Sequence, residues 1–556
     1  MGVFRTAFAL DIKYQGAKLF FYIKIRGGIK MKILVTEKIS EKGLKVLQES
    51  GAKVDIKMKP PREELLSIIA EYDAMVVRSY TKVDEELFSY AKNLKVVGRA
   101  GNGVDNIHMP SATKKGVIVV NTPDANSVSA AELTVGHMLA ISRKIPQAHQ
   151  AMKKHHWDNH GYIGTELYKK KLGIVGLGRI GALVATRMQA FEMEVSAYDP
   201  YIADSRFEKF GVEKKETLEE LIKEVDFVTV HTPKTKETAG MIGKNELMKA
   251  KKGIKVINCA RGGIINEEDL TWAIQQGIVE AAGIDVLKDE PDTTSPLFDV
   301  ENVTLTPHIG AGTVEAQDKV GVGVAHEVLG ALRGEMVTNA VNMPTLMRQE
   351  LDQVQSSLRL GEILGKFYYQ MSKEPVDRLE IIYRGETVHM ETQMITLAIL
   401  KGLMEPVVQE KVNYVNAKLL AKSRGIEVIE SQQSEDDRYL NFIQLKIYAK
   451  DKCFTIGGTV FGKKELRIAE VNGFVFDVVP TPYMLIAKNI DQPGMIGKIG
   501  TNLGEHHINI ATMQVSRNVQ GEKAMMVLTI DSEPTEEDLK MIQEVPGILN
   551  VQLVRL

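Results

Sequence analysis

Across 556 residues the chain has two cysteines, Cys259 and Cys453, and they form no CxxC pair. That scarcity excludes a disulfide framework and a cysteine-built zinc site. It fits a reducing compartment, so a cytoplasmic protein without a bound metal is expected. An excess of one charge is lacking too. The 70 basic and 72 acidic side chains leave a formal net charge of −2, which offers no electrostatic footprint for nucleic acid or a membrane surface. The apolar stretch Leu19–Ile25 is too short to span a bilayer and is interrupted by Lys24. It also lacks the uninterrupted apolar core and small-residue cleavage site of a secretory signal. Asp11 is the one acid among residues 1–30, which carry six bases and no serine. A basic, acid-poor start admits an organelle address. Because Met31 opens MKILVT, a natural first strand, a start at Met31 is preferred and residues 1–30 are expected to carry no function.

What is present centres on Lys171–Asp199, KLGIVGLGRIGALVATRMQAFEMEVSAYD. A short apolar run suited to a buried parallel strand leads into Gly176, Gly178 and Gly181, a G-x-G-x-x-G turn. The first glycine permits the sharp turn, the second lets backbone N–H groups approach a pyrophosphate, and the third lets helix and strand pack closely. The helix that follows points its positive end at the phosphates. Asp199 ends the next strand near the roughly 20-residue spacing expected of the acid that holds the ribose hydroxyls. A carboxylate there repels the 2′-phosphate of NADP, so the cofactor expected is NAD.

One core cannot serve a chain of this length, and three or four domains are expected. From Met31 to about Thr122, short β-rich runs alternate with helical patterns, which predicts a small parallel α/β unit. Ser127–Met152 reads as one long helix. Residues 171–310 hold six strand candidates, KLGIV, EVSAY, DFVTV, IKVIN, EAAGID and VTLT, matching a doubly wound nucleotide unit. Helical patterns at Leu351–Met371 and Met394–Leu403 precede further strands in a separate α/β region, about 345–478. From about Tyr483 the order strand, helix, strand, strand, helix, strand predicts a ferredoxin-like unit.

Oxidising an alcohol with a nicotinamide requires a base for the hydroxyl proton and a cation for a substrate carboxylate. Three segments follow late strands of the nucleotide unit, where open α/β sheets bind ligands. They place Arg261 after IKVIN, Glu290 in DVLKDEP and His308 in LTPHIGAGT. Arginine's planar fork suits a carboxylate, and histidine exchanges protons near neutral pH. A glutamate on the other ring nitrogen orients the imidazole.

The segments VVRSYTKV, VVGRAGNGVDNI, NSVSAAELT, GTELYKKKLGIVGLGRIG, NCARGGIINEEDL, DEP and TPHIGAGTVEAQ resemble the D-isomer-specific 2-hydroxyacid dehydrogenase family. The likeness extends over nearly everything from Met31 onward. AVNMP, FGKKELRIAEVNGF and the terminal unit are similar to the extra domains of its long-form members. The resemblance implies a Rossmann-type NAD domain (128–312) inserted in a flavodoxin-like substrate domain (31–127 and 313–340). An α/β allosteric domain (345–478) and a ferredoxin-like ACT domain (482–556) follow. It implies NAD-dependent oxidation of 3-phospho-D-glycerate at the entry to serine synthesis, L-serine as effector, and a homo-oligomer, either a tetramer or a dimer.

By the same resemblance His308 is the general base, Glu290 its partner and Arg261 the carboxylate anchor. Arg78 and Arg99 meet the substrate phosphate, and Ser79, with Asn102 and Gly103 in the adjoining turn, belongs to the same substrate site. Arg179 and Ile180 touch the pyrophosphate. Thr232, Cys259, Ala260 and Asp285 surround the nicotinamide side, and Gly310 and Ala311 help close the cofactor pocket. Asp491 and Asn509 match effector positions, and Asn489, beside them, stands where an aromatic or histidine is common. Apart from the resemblance, Lys463, Lys464 and Arg467 are candidates for an anion or form a solvated basic edge. Asn102 and Gly312 replace a common threonine and serine, and Asn159 and His160 replace a common basic pair after Trp157. Two alternatives stay open: a dehydrogenase of another 2-hydroxy acid such as glycerate or glyoxylate's reduced form, and a non-catalytic NAD-sensing scaffold.

Overall fold

The computed structural model describes residues 31–158, 160–344, 348–434, 438–462, 464–517 and 522–556. Residues 1–30, Asn159 and Lys463, named above, lie outside the described residues.

The first sheet has five parallel strands in the order β2-β1-β3-β4-β5. They are β1 (Lys32–Val35), β2 (Lys53–Ile56), β3 (Ala74–Val77), β4 (Val96–Arg99) and β5 (Ile118–Val120). This is the flavodoxin-like order. β3 is buried on both faces, as its unbroken apolar run AMVV requires. One face is covered by the helix Val314–Arg333, whose Val320, Val324 and Val328 pack on Val35, Val76 and Val96. The chain therefore leaves this sheet, builds the next, and returns to it.

The second sheet is parallel, ordered β12-β11-β10-β9-β6-β7-β8. Its strands are β6 (Lys171–Val175), β7 (Glu194–Tyr198), β8 (Glu213–Lys214), β9 (Phe227–Val230), β10 (Ile254–Asn258), β11 (Val279–Ile284) and β12 (Val303–Leu305). The six predicted strands are present, together with the two-residue β8, whose polar pair carries no apolar signal. Strand order reverses between β6 and β9, opening a crevice at their carboxyl ends.

The long helix expected over Ser127–Met152 is two helices, Ser127–Arg143 and Ile145–Lys153. Lys144 between them is left-handed (φ 49°), and its N–H caps Ala140 O. Pro146 restricts Ile145 and opens the second helix from its first turn.

The third sheet, mostly antiparallel, is ordered β14-β13-β15-β16-β17-β18. It contains β13 (Arg378–Gly385), β14 (Glu427–Gln433), β15 (Asn441–Ala449), β16 (Lys452–Phe461), β17 (Glu465–Val471) and β18 (Phe474–Val478). The helices Arg348–Met371 and Thr392–Met404 pack on one face. The fourth sheet is antiparallel, β20-β21-β19-β22, with β19 (Tyr483–Ile490), β20 (Ile510–Arg517), β21 (Lys523–Ile530) and β22 (Ile548–Arg555). Helices Met495–Glu505 and Glu536–Gln543 complete the predicted βαββαβ order.

The two thiols have different environments. Cys453, at the start of β16, is exposed, whereas Cys259 is buried just beyond β10. Burial, helped by the Asp285 charge, pushes the Cys259 thiol up to about 12. Only thiolate reacts. At pH 8 a disulfide reagent should therefore modify Cys453 in the native protein and reach Cys259 after unfolding. Two rapidly titrating thiols in the native state would contradict this packing.

Candidate active site

A cleft of about 1460 Å³ separates the first two sheets. The carboxyl ends of β3 and β4 face it from one side and those of β6, β9, β10, β11 and β12 from the other. Of the predicted residues, Arg78, Ser79, Arg99, Asn102 and Gly103 line the first wall. Arg179, Ile180, Thr232, Cys259, Ala260, Arg261, Asp285, Glu290, His308, Gly310 and Ala311 line the second.

His308 and Glu290 are in contact, with Nδ1 of the ring 2.5 Å from Oε2 of the carboxylate. The other carboxylate oxygen accepts the Leu287 N–H at 3.0 Å, which fixes the brace from behind. Burial pushes the Glu290 carboxyl up. The His308 hydrogen bond and charge, the Leu287 N–H and the Arg261 charge outweigh it and hold the group below its ordinary value. With Nδ1 engaged, Nε2 is the ring atom left for a ligand.

His308 itself has a left-handed backbone (φ 53°). Asp285 sustains it. The Asp285 carbonyl accepts the His308 N–H, and its buried carboxylate accepts Thr306 Oγ1, Ile309 N and Gly310 N at 2.5, 2.8 and 2.9 Å.

Arg261 is presented by the turn after β10, where Asn258 donates to the Arg261 carbonyl and accepts the Ala260 N–H. Its Nη1 donates to Ala260 O at 2.7 Å and its Nε to Asp105 at 3.3 Å. Gly103 leaves room for the guanidinium, since a Cβ there would lie 2.1 Å from Arg261 Nη2. Arg99 is near both other guanidiniums. Burial, then repulsion from Arg261 and Arg78, pushes it down to about 10, and its Nε has no partner among the described residues. Three clustered cations favour a ligand with more than one anionic group.

The dinucleotide turn has the shape its spacing implies. Gly176 is left-handed (φ 93°), and a Cβ on Gly181 would lie 2.1 Å from Gly176 O. Gly178, at the N-cap of the helix Arg179–Ala190, faces open space. Asp199 stands at the end of β7, where its carboxylate accepts Leu177 N and Tyr201 N. It therefore braces the glycine turn, outside the residues that line the cleft. Two buried polar atoms in the cleft wall, His231 Nδ1 and Thr232 Oγ1, lack partners among the described residues. The open Gly178 face and these unpartnered atoms fit a bound dinucleotide.

The effector candidates are not brought together within one chain. Asp491 follows β19 near the Lys523 end of β21, while Asn509 precedes β20 at the Ile530 end. Asp491 meets Arg517 at 3.4 Å, and Asn509 donates to Asp531 at 2.6 Å. Asn489 is 1% exposed and donates to Ile490 O. Arg467 pairs with Glu465 and Asp477.

Sequence reasoning missed Asp105, the partner of Arg261, and Asp124, 2.5 Å from Arg179. It also missed His231, held neutral by burial with a pKa of about 4. Asp105 sits inside the quoted VVGRAGNGVDNI, so its motif was visible even though its partner was not.

Known proteins match this chain along its length. The family described as "D-isomer specific 2-hydroxyacid dehydrogenase, NAD binding domain" matches residues 135–310. The D-3-phosphoglycerate dehydrogenase intervening domain matches 353–472, and the ACT domain 483–547. The chain is 43% identical to D-3-phosphoglycerate dehydrogenase of Methanocaldococcus jannaschii, over 95% of this chain and 100% of that one. It is 42% identical to the enzyme of that name from Bacillus subtilis, over 94% and 99%. The crystal structure of the TT0316 protein from Thermus thermophilus matches with a TM-score of 0.53 and 30% identity, covering 56% of this chain and 100% of that one. With the base pair, the guanidinium and the dinucleotide turn in one cleft, and with relatives matching end to end, the chain belongs to the D-3-phosphoglycerate dehydrogenases of the D-isomer-specific 2-hydroxyacid dehydrogenase family.

Proposed function

We propose that this chain oxidises 3-phospho-D-glycerate at C2 to 3-phosphohydroxypyruvate with NAD, at the entry to L-serine synthesis. The observation that carries this reading is the cleft itself, where a braced imidazole shares one space with three guanidiniums. His308 takes the hydroxyl proton at Nε2, and the Glu290 charge favours the imidazolium that results. Arg261 exchanges Asp105 for the substrate carboxylate, gripping it with its planar fork. Arg78 and Arg99, with Ser79, Asn102 and Gly103, take the phosphate. NAD, when bound, accepts the hydride that leaves C2. Gly176, Gly178, Gly181, Arg179 and Ile180 would hold its pyrophosphate, Asp199 its ribose, and Thr232, Cys259, Ala260, Asp285, Gly310 and Ala311 its nicotinamide side.

The chain divides, in this reading, into a substrate unit (31–127 and 313–340), an NAD unit (128–312), an intervening unit (345–478) and an ACT unit (482–556). Two unpaired thiols suit a cytoplasmic enzyme.

L-Serine is the effector we propose. Because Asp491 and Asn509 lie at opposite ends of the fourth sheet, two head-to-tail copies would bring Asp491 of one protomer beside Asn509 of its partner. A homo-oligomer, dimer or tetramer, is further supported by apolar surface along Ile145–Lys153 and the loop after it. There Trp157 is 81% and Ile163 75% exposed. Side chains of that kind, grouped, mark an interface.

Purified enzyme should form NADH from phosphoglycerate and NAD far better than from glycerate. Replacing His308 by alanine should lower kcat by roughly 10²–10⁴, the scale of general acid–base catalysis. Equal use of glycerate would overturn the substrate assignment, absence of turnover would favour the scaffold, and an unchanged His308→Ala rate would remove the base. Millimolar serine should slow NADH formation in the wild type and much less in Asn509→Ala. Indifference of the wild type to serine would end that part of the proposal. Sedimentation should show a dimer or larger species, and a monomer at micromolar concentration would refute the oligomer.

A further inference from the structure

Glu37 stands just past β1 and is 7% exposed, a costly place for a carboxylate unless several donors meet it. Three do. Its Oε1 accepts the backbone N–H groups of Arg78 at 2.8 Å and Thr81 at 3.0 Å, and its Oε2 accepts that of Tyr80 at 3.0 Å. These amides belong to the turn that follows β3 and carries Arg78. The carbonyl side of the same turn is held by Asn106, whose Nδ2 donates to Arg78 O at 2.8 Å and Thr81 O at 2.7 Å. Asn106 in turn belongs to the loop that presents Asn102, Gly103 and Asp105 to the cleft.

The Arg78 turn is thus bonded, above and below, to two side chains. A carboxylate takes its donors and an amide its acceptors, matching the hydrogen-bonding capacity of each group. The Glu37 charge also opposes the mutual repulsion of the guanidiniums, acting on Arg99 against Arg261 and Arg78. It does this while spending its oxygens on backbone, so the Arg78 guanidinium, whose Nη1 meets Lys38 O at 3.4 Å, is not neutralised by a direct ion pair with it.

We propose that Glu37, with Asn106, is a positioning residue that sets the enzyme's preference for a phosphorylated substrate by fixing where Arg78 stands. The proposal rests on the phosphoglycerate reading above. A merely structural role would depress activity toward phosphorylated and unphosphorylated substrates alike. A positioning role separates them.

The test is steady-state kinetics of the full-length enzyme with 3-phospho-D-glycerate and with D-glycerate, for wild type, Glu37→Gln, Glu37→Asp, Asn106→Ala and Arg78→Ala. Glu37→Gln should raise KM for phosphoglycerate by roughly tenfold or more, the scale of one misplaced charge-assisted contact, with a much smaller change in kcat. The kcat/KM ratio of phosphoglycerate to glycerate should fall toward that of Arg78→Ala. Glu37→Asp, which keeps the charge, should recover much of the ratio. Asn106→Ala should shift the ratio in the same direction, and it decides the matter if Glu37→Gln does not fold. An unchanged ratio in a folded Glu37→Gln or Asn106→Ala overturns this proposal alone. A wild type with no preference for phosphoglycerate overturns it together with the substrate reading.

Discussion

The buried carboxylate of Asp285 is the constraint on which the reacting end of the cleft depends. It is 1% exposed, and its charge is met by groups of the segment that follows β12. A left-handed backbone at a bulky residue persists when its surroundings over-determine it. Here they do, because His308 is flanked by residues whose N–H groups or hydroxyl all point at one charge. Thr306 donates to Asp285, so its oxygen faces the His137 ring at 2.9 Å as acceptor. His137 is thereby fixed as the Nε2–H tautomer. Burial, its dominant influence, lowers its pKa and keeps it neutral. The strained backbone of the histidine is held by an electrostatic anchor one strand away, and the Glu290 brace then orients its ring.

A second constraint comes from the guanidinium cluster. Three like charges in a half-buried wall repel one another, and after burial this repulsion is what lowers the value at Arg99. The chain answers with carboxylates that do not fill the space between them: Asp105 at the edge, Glu290 behind the histidine, and Glu37 beneath the Arg78 turn. A ligand with anionic groups at both ends relieves the repulsion in a way that a neutral one cannot. Charge complementarity is what this cluster offers for telling a doubly anionic ligand from a singly anionic one.

What was legible in the sequence was local or repeated. Gly176, Gly178 and Gly181 announce their turn because each answers a steric demand within a few residues of itself. The parallel pairing of an α/β unit follows from alternation. The break at Lys144 was hidden, because a left-handed lysine has no compositional signature and Pro146, in the first turn of a helix, is ordinary. Strand β8 was hidden for lack of apolar residues. Asp105 and Asp124 find their arginines across long stretches of chain, and single-sequence spacing carries no such information. Asp491 and Asn509 were named from resemblance, yet the antiparallel register puts them at opposite ends of the sheet.

The same register bears on how the C-terminal sheet communicates with the cleft. Both of its edges are tied to the intervening unit by side-chain amides that imitate a ladder step. Gln370 gives and receives one hydrogen bond each with the backbone of Arg555 on β22, and Gln514 of β20 does the same with Asp477 of β18. One face of the sheet, through Met484, Ile486, Met525 and Val527, joins the apolar core of the intervening unit. That unit meets the first sheet where Asn413 donates to Gly116 O at 2.6 Å, beside β5. Within one chain, the contacts from the fourth sheet to the first thus run through the intervening unit and the turn before β5. Any coupling along such a path is bounded by how differently two states satisfy those few hydrogen bonds and that shared core.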